Sequence, residues 1–202
     1  MISGPEASLQ HGGHKDSRRK IKIPTLLQRT REGWGSLQPA GSVGFCRIGS
    51  TMDITWLTER IAVGGGIWTP ENMAAVAEEG ITHIIDMQIE FDDTPLGRPH
   101  DIEVLWNPTD DDFEPKPATL FARGVEFAEH ALEETDSKVF IHCAAGVHRA
   151  PMMALAVLGS MGWDVEDAMQ LIEGRRPVAD FAEVYVESVE RFLNGKQRRP
   201  AR

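Results

Sequence analysis

Cysteine is scarce in this 202-residue chain: there are two, Cys46 and Cys143. They fall in segments of very different character, which excludes a disulfide framework and makes a reducing, cytoplasmic setting the expectation. Long apolar runs are missing as well. None approaches the roughly 20 residues of a membrane span, and the N-terminus lacks the apolar middle of a signal peptide. Positive charge is short after residue 50. Residues 1–50 hold eight Lys/Arg against three acids, while the whole chain has a net charge of −10, so the remainder carries about −15. Such a body is a poor nucleic-acid binder. Neither nucleic acid nor membrane is an expected partner.

Texture divides what is there. Residues 1–51 are rich in Gly, Ser, Arg and Lys, with IPTLLQ (23–28) as the one apolar knot. They read as a disordered basic N-terminal tail. Residues 52–195 read as one folded domain, and 196–202 as a flexible C-terminal tail. Within the domain, short strands alternate with helices. Residues 54–57, 60–63, 81–87, 102–106 and 138–142 carry strand patterns, the last too apolar to be exposed on either face. Thr69-Pro70-Glu71 is a helix start, with Thr as N-cap and Pro at the first helical position, and Gly80 ends that helix. Further helices are expected over 117–135, 149–161, 164–173 and 181–193, with Asp164 capping the third of these and Gly174 ending it. The alternation predicts an α/β fold: a central, mostly parallel sheet flanked by helices on both faces. Trp106 and Trp163 are expected in or near the core.

The chemistry concentrates in HCAAGVHRAP, residues 142–151. A strand that ends at a cysteine and turns directly into a helix aims backbone N–H groups at one point, and the helix N-terminus adds a positive partial charge. Small residues (Ala144, Ala145, Gly146) let that backbone approach a ligand closely. An anion of phosphate size suits such a cradle, and Arg149 closes it by forking onto two oxygens. The same field favours the Cys143 thiolate, which places a nucleophile beneath the anion. A leaving group then needs a proton. Asp110, Asp111 and Asp112, on a Pro-rich loop about thirty residues upstream, are the candidates.

HCAAGVHR matches the Cys-x5-Arg signature of the cysteine-dependent phosphatases, and over about residues 52–195 the chain resembles their atypical dual-specificity branch. ERIAVGG, GITHIIDM, the acidic loop and GRRPVA support the resemblance. It implies a two-step reaction without metal or cofactor. Cys143 forms a phosphocysteine, Arg149 and the backbone from Ala144 through Ala145, Gly146, Val147 and His148 bind the phosphate, and an aspartate acts first as acid and then as base. Its position in the family, slightly over thirty residues before the cysteine, implies Asp111, with Asp112 and then Asp110 behind it. Two departures stand out: Ala150 replaces the usual Ser or Thr after the arginine, and His148 replaces the usual Gly, Tyr or Lys before it. The first raises the alternative of a phosphate-binding pseudophosphatase with little turnover.

The expected substrate is a phosphorylated protein, at tyrosine, serine or threonine. A phosphoglucan or small-molecule phosphate is the alternative, since AGV-x-R-AP also resembles plant-type glucan phosphatases. The loop has no lysine to hold the extra phosphates of an inositol lipid. His142 is expected to orient the loop. Arg175 and Arg176 are expected as helix C-terminal cations.

Overall fold

The computed structural model describes residues 52–197. The expected N-terminal tail at 1–51, with Cys46, lies outside the described residues, as does the expected C-terminal tail at 196–202 apart from Lys196 and Gln197, which belong to the last helix. Two short strands come first: β1 (Ile54–Trp56) and β2 (Ile61–Gly64), then helix α1 (Pro70–Glu78) and β3 (His83–Asp86). A four-residue helix α2 (Thr94–Gly97) and a 3-10 turn (Arg98–His100) precede β4 (Glu103–Trp106). The chain continues through α3 (Ala118–Glu133), β5 (Val139–His142), α4 (Arg149–Ser160), α5 (Val165–Arg175) and α6 (Glu183–Gln197).

The five strands form one sheet in the order β1-β2-β5-β3-β4, with β1 antiparallel to β2 and every other pair parallel. The expected mostly parallel α/β sheet is therefore present. β5 occupies the centre, and all four of its residues are buried, as its uninterrupted apolar run requires. Alternation along the strands sends side chains to two separate cores. Ile61, Val63, Ile85, Val139 and Ile141 join residues of α3, α4, α5 and α6 on one face. Ala62, Ile84 and Phe140 pack with Met73 and Val76 of α1 on the other. Among the described residues, no helix is long and apolar enough to cross a membrane.

Local signals explain most boundaries. The Thr69 side chain accepts a hydrogen bond from Asn72 N and Pro70 opens α1, while Gly80 sits at φ +76 just beyond its end. Asp164 caps α5 by accepting from Glu166 N. Two expectations are corrected. Gly174 does not end α5: the helix runs one residue past it, through Arg175, and Arg176, its C-cap, is held by distant partners. Trp106 is not core: it lies on edge strand β4, 39% exposed, and its indole N–H donates to Gln88 O at 2.7 Å.

Candidate active site

The loop between β5 and α4 is held from outside by its carbonyls. Gly66 N donates to Ala144 O (3.1 Å), Arg176 Nη2 to Ala145 O (3.2 Å), Arg176 Nε to Gly146 O (2.7 Å) and Asp180 N to Val147 O (2.9 Å). A trans peptide plane points its C=O and its N–H in opposite directions. Four carbonyls pulled outward therefore turn the N–H groups of Ala145, Gly146, Val147 and His148 inward, around Cys143. Gly146 N already donates to Cys143 Sγ at 3.2 Å. The turn needs glycine there: φ is +64, and a Cβ would meet the Gly64 carbonyl oxygen at 2.5 Å and Arg176 Nη2 at 2.4 Å.

Arg176 corrects its expected role as a helix-end cation. It is buried, and besides the two loop carbonyls its guanidinium contacts Asp53 at 2.8 and 2.5 Å and Thr55 Oγ1 at 3.0 Å. The Arg176 hydrogen bond holds the Asp53 carboxyl below its ordinary value. This one side chain ties the far edge of the sheet to the loop beneath Cys143.

Arg149 opens α4 and is buried at its N-terminus, 4% exposed. Glu90 grips it fork to fork, with Nη1–Oε2 and Nη2–Oε1 both 2.9 Å, and Nη1 also donates to Thr109 O at 3.1 Å. Burial alone would lower the guanidinium, but the Glu90 bond and the charges of Cys143, Glu90 and Asp111 outweigh it, leaving the group above its ordinary value. Glu90 is lowered in turn by the same bond. Arg149 Nε is left buried without a hydrogen-bond partner, 3.9 Å from Asp111 Oδ2. An unpaired buried donor on a cation is costly.

The three acidic candidates separate in space. Asp111 alone turns toward the loop: Oδ2 lies 3.0 Å from His148 Nδ1, and Oδ1 accepts from the Tyr185 hydroxyl at 3.1 Å. Asp112 pairs with Lys116 and accepts from Glu114 N at 3.0 Å. The Lys116 bond lowers its carboxyl. Asp110 contributes its backbone carbonyl, which accepts from Lys116 Nζ at 2.8 Å. The other ring nitrogen of His148 faces Asp180, with Nε2–Oδ2 at 3.3 Å.

His142 lies behind the loop, fully buried, with Nε2 3.2 Å from Asp93 Oδ2 and 3.7 Å from Asp86 Oδ1. Burial pushes Asp86 up to about 8 and Asp93 up to about 7, and His142 down to about 3. Desolvation thus favours the neutral form of all three groups. The trio's ligand atoms lie within 4.8 Å of one another, a spacing that also admits a metal ion. His142 is expected to orient the loop, but neither of its ring nitrogens makes a hydrogen bond; Asp86 and Asp93, which the sequence did not single out, only face Nε2.

The structure thus brings Cys143, Arg149, Asp111 and the loop residues Ala144 to His148 together. Sequence reasoning missed Glu90, Asp53, Asp180 and the place of Tyr185. The only traces were the GRRPVA stretch that follows the loop and the singularity of the tyrosine.

Comparisons with known proteins agree with this geometry. Solved structures share the fold: PTPMT1 in complex with PI(5)P, at 20% identity and TM-score 0.66, covers 73% of this chain and 99% of its own. Human DUSP28, solved as a point variant, at 16% and 0.59, covers 72% and 97%. Cydia pomonella PTP-2 phosphatase, at 23% and 0.58, covers 72% and 90%. No curated protein matches the chain. The family model of the dual specificity phosphatase catalytic domain matches residues 68–192, most of the described chain and all of the loop from Cys143 to Arg149, and the protein belongs to that phosphatase family.

Proposed function

We propose that the protein hydrolyses phosphomonoesters through a phosphocysteine on Cys143. The observation that carries this is the convergence of inward N–H groups and the unpaired Arg149 Nε on the space beside Cys143 Sγ, with Asp111 held at its edge. In the first step the thiolate attacks phosphorus, the S–P bond forms and the P–O bond breaks. The departing oxygen takes the proton of Asp111. In the second, water attacks phosphorus and gives a proton to Asp111, the P–S bond breaks and the thiolate returns. The inward amides and Arg149 hold the three remaining oxygens throughout, where charge develops.

The substrate we infer is a phosphoprotein. Trp68, Ile89, Phe91, Phe113 and Val178 are all exposed, and each lies on a segment that contacts the loop or Arg149. Apolar surface around a phosphate site fits a phosphorylated side chain with apolar neighbours. The loop itself carries no lysine for further phosphates. Because the similar PTPMT1 structure holds PI(5)P, phosphoinositides belong in the test. Phosphate release from p-nitrophenyl phosphate, phosphopeptides, phosphoglucan and phosphoinositides decides the matter. Turnover of the peptides above the others supports the reading. A preference for the lipid or glucan replaces the substrate class, and no release from any of them overturns the enzymatic reading in favour of a binding protein.

A further inference from the structure

His148 joins three segments through one ring. It belongs to the phosphate loop, its Nδ1 faces Asp111 of the acidic loop at 3.0 Å, and its Nε2 faces Asp180, beyond α5, at 3.3 Å. Phe113 packs edge-on against it, with ring centroids 5.1 Å apart. The same Phe113 stacks on Tyr185 and donates its N–H to the Tyr185 hydroxyl at 3.0 Å, and that hydroxyl donates to the other oxygen of Asp111. Both carboxylate oxygens of Asp111 are therefore held, one by His148 and one by α6. The imidazole is 19% exposed, whereas Asp180 is 70% exposed.

An imidazole whose two nitrogens both face carboxyl groups has a restricted set of proton arrangements. With one ring proton it can donate to only one of them, and the other nitrogen must accept. Asp180, 70% exposed against 31% for Asp111, is the solvated partner that offers an oxygen to Nε2. A proton on Nε2 is then fixed by Asp180, and Nδ1 is left to face Asp111. Between Nδ1 and Asp111 Oδ2 there is room for one more proton, which sits on either atom.

We propose that Asp180, His148 and Asp111 form a proton relay, in which Asp180 fixes the Nε2–H tautomer and His148 positions Asp111 and shares with it the proton that the leaving group receives. The proposal rests on the phosphocysteine reading above. The proton balance is closed. In the first step the proton moves from His148 Nδ1 to Asp111 Oδ2, or is already there, and then to the departing oxygen. In the second step the proton released by water returns to Asp111 and to the pair. His148 acts through Asp111 and is a positioning residue; the acid that meets substrate is Asp111. The other charged or titratable groups around the pair are Arg149 and Cys143 on the same loop, Glu90 on Arg149, Tyr185 on α6, and Lys116, which is paired with Asp112 and lies 5.3 Å from the Tyr185 ring centroid. None of them offers an alternative partner to either ring nitrogen.

The test uses Asp180→Asn and His148→Asn in the full chain, with melting temperature confirming that each folds. The first variant still accepts a hydrogen bond at 180 but carries no charge, and the second still donates at 148 but cannot pass a proton. With phenyl phosphate, whose leaving group needs a proton, the basic limb of the kcat/KM profile belongs to the pair. It moves down by about one pH unit in Asp180→Asn, the low end for losing a nearby opposite charge, and turnover falls by about ten- to a hundredfold in His148→Asn. With p-nitrophenyl phosphate, whose leaving group needs little help, Asp180→Asn stays within about threefold of the parent, and the loss in His148→Asn is smaller than with phenyl phosphate. Nitrogen-15 NMR of the ring gives a readout independent of turnover: the parent shows the proton on Nε2, and Asp180→Asn shows a mixture. Equal losses with both substrates, or an unmoved limb, overturn the relay. A parent with the Nε2–H tautomer but no turnover on either ester spares the ring arrangement and overturns the phosphocysteine reading instead.

Discussion

At Asp111 the division of labour among three adjacent acids rests on geometry that differs by residue. Asp112 is occupied by Lys116, whereas Asp111 faces His148, Tyr185 and Arg149. Asp111→Asn is expected to cut turnover of phenyl phosphate by roughly 10²–10³, and Asp112→Asn to leave it within a few-fold; steady-state kinetics on the two variants check this. The reverse pattern would move the acid to the neighbour. Arg149→Lys keeps the charge but cannot fork onto Glu90 and leave Nε for a phosphate, so vanadate binding and turnover should both fall at least a hundredfold. Ala150 raises a separate expectation. It is fully buried, one residue past Arg149, and no hydroxyl there is available to the departing sulfur. The parent should show a burst of product followed by a slower steady state. In Ala150→Ser a hydrogen bond to the returning thiolate, roughly 1.5–3 kcal/mol, should abolish the burst and raise steady turnover by on the order of tenfold or more. Stopped-flow kinetics distinguish the two.

At the scale of elements, what was legible in the sequence was what neighbouring residues decide. Thr69-Pro70 started a helix and Asp164 capped one, because caps act over three residues. Val139 to His142 read as a buried central strand because its composition admits no exposed face. The Cys143–Arg149 loop was legible for the same reason: strand, small residues and helix start are contiguous. Contacts across the fold were not legible. Glu90 meets Arg149 across 59 positions and Arg176 meets Asp53 across 123, and nothing in either local pattern marks the partner. Trp106 was misplaced because a β-strand pattern does not say which strand is at the edge. The Arg176 bridge carries its own prediction. Lysine there keeps a charge for Asp53 but cannot reach both loop carbonyls, so Arg176→Lys should loosen the phosphate loop. Loss of one charge-assisted hydrogen bond, about 1.5–3 kcal/mol, corresponds to a ten- to hundredfold weaker affinity for vanadate, measured by inhibition or calorimetry, alongside a lower melting temperature.

At the scale of the whole molecule, the buried trio behind the active loop ties stability to pH. Asp86 and Asp93 have raised values when folded, about 8 and about 7, set mainly by desolvation. An unfolded aspartate ionises near 3.9, so between about pH 4 and 8 the folded state binds more protons than the unfolded one, and stability falls as pH rises through that range. His142, depressed to about 3 by burial, works the other way, as does His83, lowered first by desolvation. Their contribution grows as pH rises to about 6.5, the ordinary histidine value, and is constant above it. Below pH 6.5 the opposing slopes partly cancel. Above it only the two carboxyls remain, and the full downward slope is exposed. Urea unfolding at pH 6 and pH 8 should show a loss on the order of 2 kcal/mol, because each carboxyl alone can contribute up to about 1.4 kcal/mol per pH unit. The double variant Asp86→Asn/Asp93→Asn has no proton to lose in this window and keeps an acceptor for one of the two backbone N–H groups, of Gln88 and residue 93, that the two oxygens of Asp86 hold at 2.9 and 3.2 Å. Its stability should be flat from pH 6.5 to 8. A parent equally stable at both pH values would mean that burial does not raise the two carboxyls behind His142.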